Sequence, residues 1–348
     1  MQNELVEGPV QQTNPEVTVV IPTRNRWATL EAYGLAAALC QEGVDLEVVV
    51  VDDGSTDETA RRVAALGDSR VRIVRHEHGN GVARARNAGV AAARGEWIAF
   101  LDDDDVWAPN KLRAQLDAAA RAAADFVYSV AVHLDEDLRV IAAFAPPSAM
   151  GLRATLVSGT PIAAGASNVM ARRRLVERVG GFDPQLVGGV EDHECWLRMA
   201  AAAPAAATED ILVGYVQHAG SIHLRDAAEL FTAFRKYARK YPAPLDVLGI
   251  RRHEARYLHW CAGQQRRAGN RLQAMSLYLR AAVLLRRPSY AVKGLVQLAG
   301  ERGQRLGRAV VPLRDRRSAA MLPASSGNRR PGEQFQLESE PEWIDLYR

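Results

Sequence analysis

The sequence predicts an α/β fold in which helices cover both faces of a parallel sheet and a helical region follows. Over the first hundred residues, runs of β-branched residues alternate with helical segments, which is typical of parallel strands joined by right-handed crossovers. The chain has 348 residues, of which 48% are hydrophobic, enough for one large domain and a smaller appendage. Beyond about residue 225 the β pattern is absent, and apolar residues recur at helical spacing.

Four buried strands are predicted in the first third of the chain. They are continuous runs of mostly β-branched and other apolar residues, as expected for strands that are covered on both faces. The strands lie at 17–21, 47–51, 71–74 and 97–101. Helices are predicted between them at 28–39, at 60–66, and from the turn Gly79-Asn80-Gly81 to about residue 93.

The rest of the chain is less regular and suggests four parts. A strand at 126–132 precedes a passage rich in Pro, Gly and Ser, and further helices are predicted at 172–179, 191–200, 227–240, 251–267, 271–286 and 289–298. We predict a disordered leader (1–15), a catalytic α/β domain (16–225), a basic helical subdomain (226–311) and a disordered tail (312–348). The tail is assigned as disordered because its composition of Arg, Ser, Pro, Gly and Glu cannot bury enough apolar surface.

Composition excludes several classes of protein. The N-terminal segment carries acids where a signal peptide carries a basic cluster, and no stretch reaches the roughly 18 uninterrupted apolar residues of a membrane span. Cys40, Cys195 and Cys261 are far apart and form no CxxC pair, so neither a disulfide framework nor a zinc site is expected. We therefore expect a cytoplasmic protein whose contact with a membrane is peripheral.

The charge is distributed unevenly, although the net charge is only +3. Between residues 251 and 317 sixteen Lys and Arg residues stand against Glu254, Glu301 and Asp315. Such a surplus attracts anionic membranes, phosphate-bearing substrates or nucleic acid. Because no nucleic-acid-binding motif accompanies it, we expect contact with the inner face of the cell membrane and no nucleic-acid partner. Simple solubility, with packing against the first domain, is the alternative.

Acidic residues follow two of the predicted strands. Asp52 and Asp53 end the second strand, and the run from Asp102 to Asp105 ends the fourth. Ligands of open α/β sheets bind beyond the carboxyl ends of the strands, so we expect these six carboxylates to share one crevice. Their mutual repulsion raises pKa values unless a cation neutralises them, and Mg²⁺ and Mn²⁺ prefer oxygen ligands. The sequence therefore favours a site for a divalent metal ion.

Five sequence blocks carry more specific information. They are VTVVIPTRNR, VVVVDDGSTDET, GNGVARARNAGV, GEWIAFLDDDDVWAPNKL and VGGFDPQLVGGVEDHECWLRMA. In this order they resemble glycosyltransferase family 2 over residues 17–223. The resemblance implies a Rossmann-like GT-A fold with a mostly parallel sheet, and an inverting transfer of sugar from a nucleoside diphosphate sugar to a saccharide, lipid-linked or other hydroxyl acceptor. It also implies Mg²⁺ or Mn²⁺ as cofactor and a role in the synthesis of cell-surface polysaccharide or glycoconjugates.

The resemblance implies roles for residues on the donor side. Pro22, Thr23 and Arg24 lie on a loop that lines the nucleotide pocket in relatives. Asp53 matches the family residue that accepts a hydrogen bond from the nucleotide base, whereas Asp52 serves the turn. A hydrogen-bonded Asx-turn is the alternative explanation of both acids.

The run of four aspartates corresponds to the family's DxD motif. Asp104 is the first choice for the metal ligand, with Asp102 as a second candidate, and Asp102 or Asp103 is expected to contact ribose and metal-bound water. The register stays open by one residue, and a solvated loop that caps the next helix is the alternative. His218 lies where some relatives contact the metal or the diphosphate, although a structural histidine explains this position as well.

The pair Glu191-Asp192 resembles the family's catalytic motif, in which Asp192 is the general base. A carboxylate within hydrogen-bond reach can remove the proton of an acceptor hydroxyl as the new bond forms. An acid favoured by the positive end of a helix is the alternative. Arg86 matches a block that contacts the donor, but an arginine on this helix can also face solvent.

Other classes of protein explain these residues less well. A dinucleotide-binding oxidoreductase needs GxGxxG after a strand, whereas residues 79–84 end in arginine, and the P-loop motif is absent from the sequence. Trp107 and Trp196 are expected in the core. A catalytically inactive scaffold that binds sugar nucleotides is the remaining alternative, which the intact Asp104 and Asp192 disfavour.

Overall fold

The computed structural model describes residues 14–157, 162–186, 190–218, 269–286, 288–296, 333–337 and 339–348, together with isolated residues between 232 and 266. Its strands are β1 (Val17–Thr23), β2 (Leu46–Asp52), β3 (Val71–Arg75), β4 (Trp97–Phe100), β5 (Val106–Trp107), β6 (Phe126–Leu134), β7 (Val140–Phe144), β8 (Met170–Arg172), β9 (Ala205–Val216) and β10 (Gln334–Phe335).

The strands form one mixed sheet in the order β10-β7-β6-β8-β4-β1-β2-β3, with β9 paired to β6 and to β5. β1 lies between β2 and β4 and is parallel to both, and β3 continues the parallel part. On the other side β8 runs antiparallel to β4 and β6, and β7 runs antiparallel to β6. The predicted α/β class is confirmed, and the four predicted strands of the first third form the parallel half of the sheet.

Helices cover the sheet on both faces. They are α1 (Trp27–Thr29), a π-helix (Leu30–Leu35), α2 (Ala36–Leu39), α3 (Thr59–Ala64), α4 (Val82–Ala92), α5 (Lys111–Ala122), α6 (Leu152–Val157), α7 (Arg173–Arg178) and α8 (Glu191–Ala202), with α9 (Arg271–Leu285) and α10 (Pro288–Val296) in the basic region. Two 3-10 helices lie at Gly165–Asn168 and Glu342–Tyr347.

The central strands have no exposed face, which explains their unbroken apolar sequence. Val19 and Ile21 of β1 pack with α5 and the helical stretch at 27–39, whereas Val20 packs with α4 and α8 on the opposite face. All three side chains are fully buried, and each stabilises the fold by about 1.5–3 kcal/mol. This packing fixes where β1 ends, and so it fixes the loop at the carboxyl edge of the sheet.

The basic region packs partly against the first domain. Tyr237 joins the core beside α8, and Lys240 Nζ lies 2.6 Å from Asp183 Oδ2 and 2.8 Å from Glu194 Oε1. The helix predicted at 271–286 is confirmed, whereas those at 227–240 and 251–267 lie largely outside the described residues. Within the part of the chain that the structure describes, no helix is long and apolar enough to cross a membrane.

The end of the chain corrects the prediction of a disordered tail at 312–348. Residues up to 332 lie outside the described part, and so does nearly all of the predicted leader. Further on, Gln334–Phe335 pairs antiparallel with β7, and Glu342–Tyr347 forms a helical turn. The prediction of disorder is therefore wrong for these last residues.

A few apolar side chains hold this last segment on the sheet. Ile344 is fully buried in a cluster with Val106 and Val216, and Tyr347 Oη donates a hydrogen bond to the carbonyl oxygen of Trp107 at 2.7 Å. The composition of the tail as a whole is polar and so did not predict these contacts. A short apolar segment is enough to bind the edge of a sheet that is already formed.

Candidate functional site

The acid run, Asp102 to Asp105, leaves the carboxyl end of β4 beside the end of β1. Asp103 is 4% exposed, and its carboxylate accepts hydrogen bonds from Thr23 Oγ1 at 2.7 Å and from Arg26 Nη1 at 2.8 Å. Thr23 is the last residue of β1. The two neighbouring central strands therefore meet at this carboxylate.

Asp104 faces His218, which follows β9. Asp104 Oδ2 lies 2.7 Å from His218 Nε2, and Arg26 Nη2 lies 2.9 Å from that oxygen and 2.8 Å from that nitrogen. A carboxylate oxygen and an imidazole nitrogen, 114 residues apart, thus point to the same place.

Asp103 and Asp104 are adjacent in the acid run but differ in their pKa values. Burial and the neighbouring Asp104 raise the pKa of Asp103 to about 8, against the opposing effect of Arg26. Burial also acts to raise the pKa of Asp104, but contacts with His218 and Arg26 outweigh it and hold that pKa below its usual range. Asp104 is therefore the carboxylate of this pair that stays charged at neutral pH.

The donor atoms at Asp104 and His218 fit a divalent metal ion, and the imidazole suits Mn²⁺ better than Mg²⁺. Across the described ranges, no group of three or more His, Cys, Asp or Glu side chains is arranged to hold a metal. Asp102, the other predicted ligand, is paired with Arg86 at 2.6 Å. These residues therefore provide a partial ligand set, of the kind that substrate phosphates and water complete.

Asp53 lies at the end of β2 and holds the loop that opens α4. Its carboxylate accepts hydrogen bonds from the backbone N–H of Asn80 at 2.9 Å and of Gly81 at 2.8 Å, and His76 Nδ1 lies 2.8 Å away. Burial alone raises the pKa of Asp53, but these bonds outweigh it and hold the pKa below its usual range. Asp53 is therefore a fixed anion at the carboxyl edge of the sheet.

The turn after Asp53 approaches the same loop closely. Gly54 has a φ of 75°, and a Cβ atom there would lie 2.7 Å from the backbone nitrogen of Gly79. Asp52 accepts a hydrogen bond from the backbone N–H of Ser55 at 3.0 Å, three residues further on, so its carboxylate holds this turn as predicted. Only glycine fits between the two loops, so the sequence Asp-Asp-Gly-Ser shapes this side of the site.

Asp192 lies in the first turn of α8 and is partly exposed. Burial and the adjacent Glu191 raise its pKa to about 7, although Arg86 opposes the shift. Asp192 Oδ1 accepts a hydrogen bond from the backbone N–H of His193 at 2.5 Å. A carboxylate with a pKa near neutrality is suited to accept a proton during a reaction.

Arg86 joins the acid run to the helix that carries Asp192. The side chain is 4% exposed, with Nη2 2.6 Å from Asp102 Oδ1 and Nη1 3.3 Å from Glu191 Oε1. The alternative of a solvent-facing arginine is therefore excluded. In this structure its partners are carboxylates of the site, so the predicted contact with a donor stays a prediction.

A set of contacts leads from Asp53 to Glu191, the residue before Asp192. Asp53 N donates to the carbonyl oxygen of Thr23 at 2.9 Å, and Thr23 in turn binds the acid run. The acid run is tied through Arg86 to the first turn of α8. Asp53 and the acid run thus lie at one edge of the sheet, and Asp192 is close enough to the run for Asp102 to influence its pKa.

The other predicted residues lie around this edge. Pro22 is buried at the end of β1, whereas Arg24 is exposed beside the loop at Gly79. Trp107 and Trp196 are fully buried in the core, as expected.

Residues that the sequence did not single out complete the site. Arg26 pairs with two members of the acid run, Ser167 Oγ lies 2.5 Å from Asp105 Oδ2, and Glu191 binds Arg86. Arg26 and Glu191 stand inside blocks that were recognised, so their position was a usable signal. Ser167 lies in a passage without any recognised block, and its role depends on tertiary contacts alone.

Comparisons with known proteins agree with the family resemblance of the sequence blocks. The model of the family described as Glycosyl transferase family 2 matches residues 18–179. The succinoglycan biosynthesis protein ExoO of Rhizobium meliloti (strain 1021) is 47% identical over 110 residues, which are 32% of this chain and 31% of the relative.

Two Escherichia coli proteins, WfgD and WfaP, are each named UDP-Glc:alpha-D-GlcNAc-diphosphoundecaprenol beta-1,3-glucosyltransferase. WfgD is 36% identical over 112 residues, covering 32% of this chain and 44% of the relative. WfaP is 28% identical over 218 residues, covering 62% and 82%. The chain thus matches less than half the length of ExoO and of WfgD.

Solved structures share the fold at low sequence identity. TarS 1–349 of S. aureus has a TM-score of 0.54 and 16% identity, covering 87% of this chain and 91% of that one. The mannosyltransferase PcManGT of Pyrobaculum calidifontis, in complex with GDP-Man and Mn²⁺, has a TM-score of 0.53 and 22% identity, covering 85% and 84%. These likenesses confirm the predicted GT-A fold. Residues 18–179 thus match glycosyltransferase family 2, and the fold agrees with that match.

Proposed function

We propose that this chain transfers a sugar from a nucleoside diphosphate sugar to an acceptor hydroxyl in a single displacement that inverts the anomeric centre. The contacts that join Asp53, the acid run and Asp192 carry this proposal. They support placing an anion for the nucleotide and oxygen and nitrogen ligands for a metal at one sheet edge, with a carboxylate of raised pKa on the helix beside it.

Asp192 is the general base in this proposal. Its raised pKa matches the pH at which it would work, and a base is most effective under that condition. Its carboxylate takes the proton of the acceptor hydroxyl while the hydroxyl oxygen bonds to the anomeric carbon. Arg86 keeps the first turn of α8 next to the acid run, so that the base and the donor face each other.

Asp104 and His218, with Asp102 as a further candidate, would hold Mn²⁺ or Mg²⁺ against the donor. The metal, when bound, neutralises charge on the departing nucleoside diphosphate. Asp53 accepts a hydrogen bond from the nucleotide base. In this structure His76 and the N–H groups of Asn80 and Gly81 already make four contacts with its two oxygens, so the base would share or replace one of these contacts.

The relatives favour a particular donor and acceptor. WfgD and WfaP are named for UDP-glucose and for a diphosphoundecaprenol-linked acceptor, and ExoO is named for succinoglycan biosynthesis. We therefore propose a uridine diphosphate sugar as donor, a lipid-linked saccharide as acceptor, and a role in the synthesis of surface polysaccharide. PcManGT, solved with GDP-Man and Mn²⁺, supports testing guanosine donors and Mn²⁺ as well.

A thermal-shift screen of nucleotide sugars with Mn²⁺, with Mg²⁺ and with a chelator tests this function. A donor at 100 times its Kd stabilises the native state by about 2.7 kcal/mol and so raises the melting temperature. Because the donor is proposed to bind through the metal, we expect this rise only when Mn²⁺ or Mg²⁺ is present. Released nucleoside diphosphate then measures turnover, and NMR of the product gives the anomeric configuration. A product with retained configuration contradicts the proposed mechanism.

An inactive scaffold is the competing function, and the same measurements separate the two. A scaffold binds a donor in the screen but releases no nucleoside diphosphate with any acceptor. The intact Asp104 and Asp192 favour the enzyme, and the raised pKa of Asp192 is compatible with a role as base.

The proposal also places the chain at the inner face of the cell membrane. The basic region carries sixteen Lys and Arg residues against three acids between 251 and 317, and Leu272 and Val283 of α9 are 69% and 77% exposed. Co-sedimentation with phosphatidylglycerol vesicles at low salt, lost at high salt and absent with phosphatidylcholine, is the expected result. Equal binding to both kinds of vesicle contradicts an electrostatic contact.

A further inference from the structure

The 3-10 turn Gly165–Asn168, called here the GASN turn, lies between the acid run and α8. It directly precedes β8, the strand that pairs with β4, so it runs beside the residues that follow β4. Ala166, Ser167 and Asn168 are all nearly or fully buried. The proposed reaction gives no role to this turn.

One end of the GASN turn holds the acid run. Ser167 Oγ donates a hydrogen bond to Asp105 Oδ2 at 2.5 Å and accepts one from the backbone N–H of Asp102 at 3.0 Å. A single buried hydroxyl thus connects the first and fourth residues of the run. Asp105 Oδ1 also accepts a hydrogen bond from the backbone N–H of Val216 at 3.1 Å, two residues before His218. The position of both predicted metal-binding segments therefore depends on this cluster.

The other end of the turn lies against the general base. Gly165 has a φ of 48°, and a Cβ atom there would lie 2.6 Å from Asp192 Oδ2. Such a distance is shorter than van der Waals contact, so no other residue fits without moving the carboxylate. The preceding Ala164 also has a left-handed φ, of 60°, which L-residues rarely adopt. Strained backbone of this kind persists where surrounding contacts hold it, and it clusters at functional sites.

The contacts of the turn with the core are extensive. The side chain of Asn168 accepts hydrogen bonds from the backbone N–H and the hydroxyl of Ser129, both at 2.8 Å, and donates to the carbonyl oxygen of Ser129 at 2.9 Å. Trp107 Nε1 donates to the carbonyl oxygen of Ser167 at 2.8 Å, and Gln115 Nε2 donates to that of Asn168 at 2.9 Å. The turn is thus fixed to β5, β6 and α5 and has little freedom to shift.

We propose that the GASN turn is a positioning element that sets the distance between the metal-binding acid run and the catalytic base. This inference rests on the proposed glycosyl transfer. Ser167 and Gly165 are positioning residues, since each acts through an acid that it touches. The two ends of the turn make separable predictions: loss of the Ser167 hydroxyl disturbs binding of metal and nucleotide, whereas a side chain at position 165 disturbs turnover.

Ser167→Ala tests the first end, with Mn²⁺ and UDP as the probe. We expect the affinity for UDP in the presence of Mn²⁺ to fall about tenfold or more, as is typical when a group that orients metal ligands is removed. Thr18→Val is the matched control, because the buried Thr18 hydroxyl likewise donates to a carboxylate, Glu47 at 2.7 Å, and accepts from a backbone N–H, Gly95 at 2.9 Å. This control lies at the opposite end of β1 and should lose stability without losing affinity.

Gly165→Ala tests the second end. We expect release of UDP from UDP-glucose to fall about tenfold or more at saturating donor, because small displacements of a reacting group have large effects on rate. The affinity for Mn²⁺ and UDP should stay near that of the unaltered protein, and the pH midpoint of turnover should shift because the contact at Asp192 changes. Gly67→Ala is the control, since Gly67 has a φ of 70° with nothing within 4 Å of a Cβ atom.

The outcomes separate this inference from the proposed function. If Ser167→Ala binds Mn²⁺ and UDP as the unaltered protein does, or if Gly165→Ala turns over normally, the positioning role is wrong while glycosyl transfer stands. If each variant merely matches its control in affinity, rate and melting temperature, the turn is structural only. If the unaltered chain neither binds UDP with Mn²⁺ nor releases it from UDP-glucose, the proposed function fails and this inference fails with it.

Discussion

The donor end and the base end of the site hold their carboxylates in opposite ways. At the donor end, Asp53 and Asp104 are contacted by backbone N–H groups, histidine and arginine, which keep their pKa values below the usual range despite burial. At the base end, burial and Glu191 raise the pKa of Asp192 to about 7. Asp53 and Asp104 therefore remain charged at neutral pH, whereas Asp192, like the buried Asp103 of the acid run, can exchange a proton near neutral pH.

The difference follows from where each end lies in the fold. The donor end is built from residues at the carboxyl ends of parallel strands, where loops turn back and present N–H groups to a carboxylate. The base end lies in the first turn of α8, where the nearest charges include the like-charged Glu191. Variants that act on one end alone therefore test whether the two ends have the separate roles that we propose.

Asp192→Asn should have the largest effect. The amide keeps the size of the side chain but cannot accept the proton, so we expect turnover to fall on the order of 10³-fold. Calorimetric binding of UDP-glucose with Mn²⁺ should be nearly unchanged, because the donor end is intact. A variant that keeps most of its turnover would show that Asp192 is not the base.

Asp104→Ala should have the next largest effect, and it acts at the other end. This substitution removes a proposed metal ligand and the anion that pairs with Arg26. We expect metal-dependent donor binding to weaken by about 10²-fold, which is the upper limit of the losses seen when residues around metal ligands are changed. Asp117→Ala is the control, since Asp117 is an exposed acid on α5 that pairs with Arg113. Unchanged binding heats in Asp104→Ala would remove Asp104 from the metal site.

The sequence predicted the donor end better than the base end. The donor end depends on strands whose apolar runs are unbroken, and on acids that directly follow them, so local pattern and position were sufficient. Asp53 and Asp104 were therefore placed correctly at one edge of the sheet. The side chains that contact these two acids, such as Arg26 and His76, could not be predicted, because they meet the acids only in the folded chain.

The base end could be predicted only in part, because its environment is assembled by tertiary contacts. Asp192 was found through its block, but its raised pKa depends on burial in the folded chain and on Glu191, against the opposing effect of Arg86. Ser167 carries no local signal, since serine in a passage rich in Gly and Ala is typical of any turn. The same limit explains the tail, where Ile344 is buried only because the sheet already offers a cluster to receive it.

The pH dependence should separate the two ends without any mutation. Transfer requires the carboxylate form of Asp192, so turnover should fall about tenfold per pH unit below a midpoint near 7. Metal-free binding of UDP should persist to lower pH, because Asp53 keeps its charge there, whereas binding with Mn²⁺ also requires the unprotonated imidazole of His218. Parallel pH profiles for binding and turnover contradict this separation.

Glu191→Gln should have the smallest effect, a shift of the midpoint with little change in the maximal rate. Glu191 is the nearest like charge that raises the pKa of Asp192, and it also neutralises part of Arg86. Its removal should therefore move the midpoint of turnover to lower pH. Glu177→Gln, an exposed acid on α7, is the control and should leave the midpoint in place. Both variants lose one negative charge, so a difference between them reports the change in the electrostatic field at Asp192. A midpoint that stays fixed or rises in Glu191→Gln would mean that Glu191 does not set the pKa of the base.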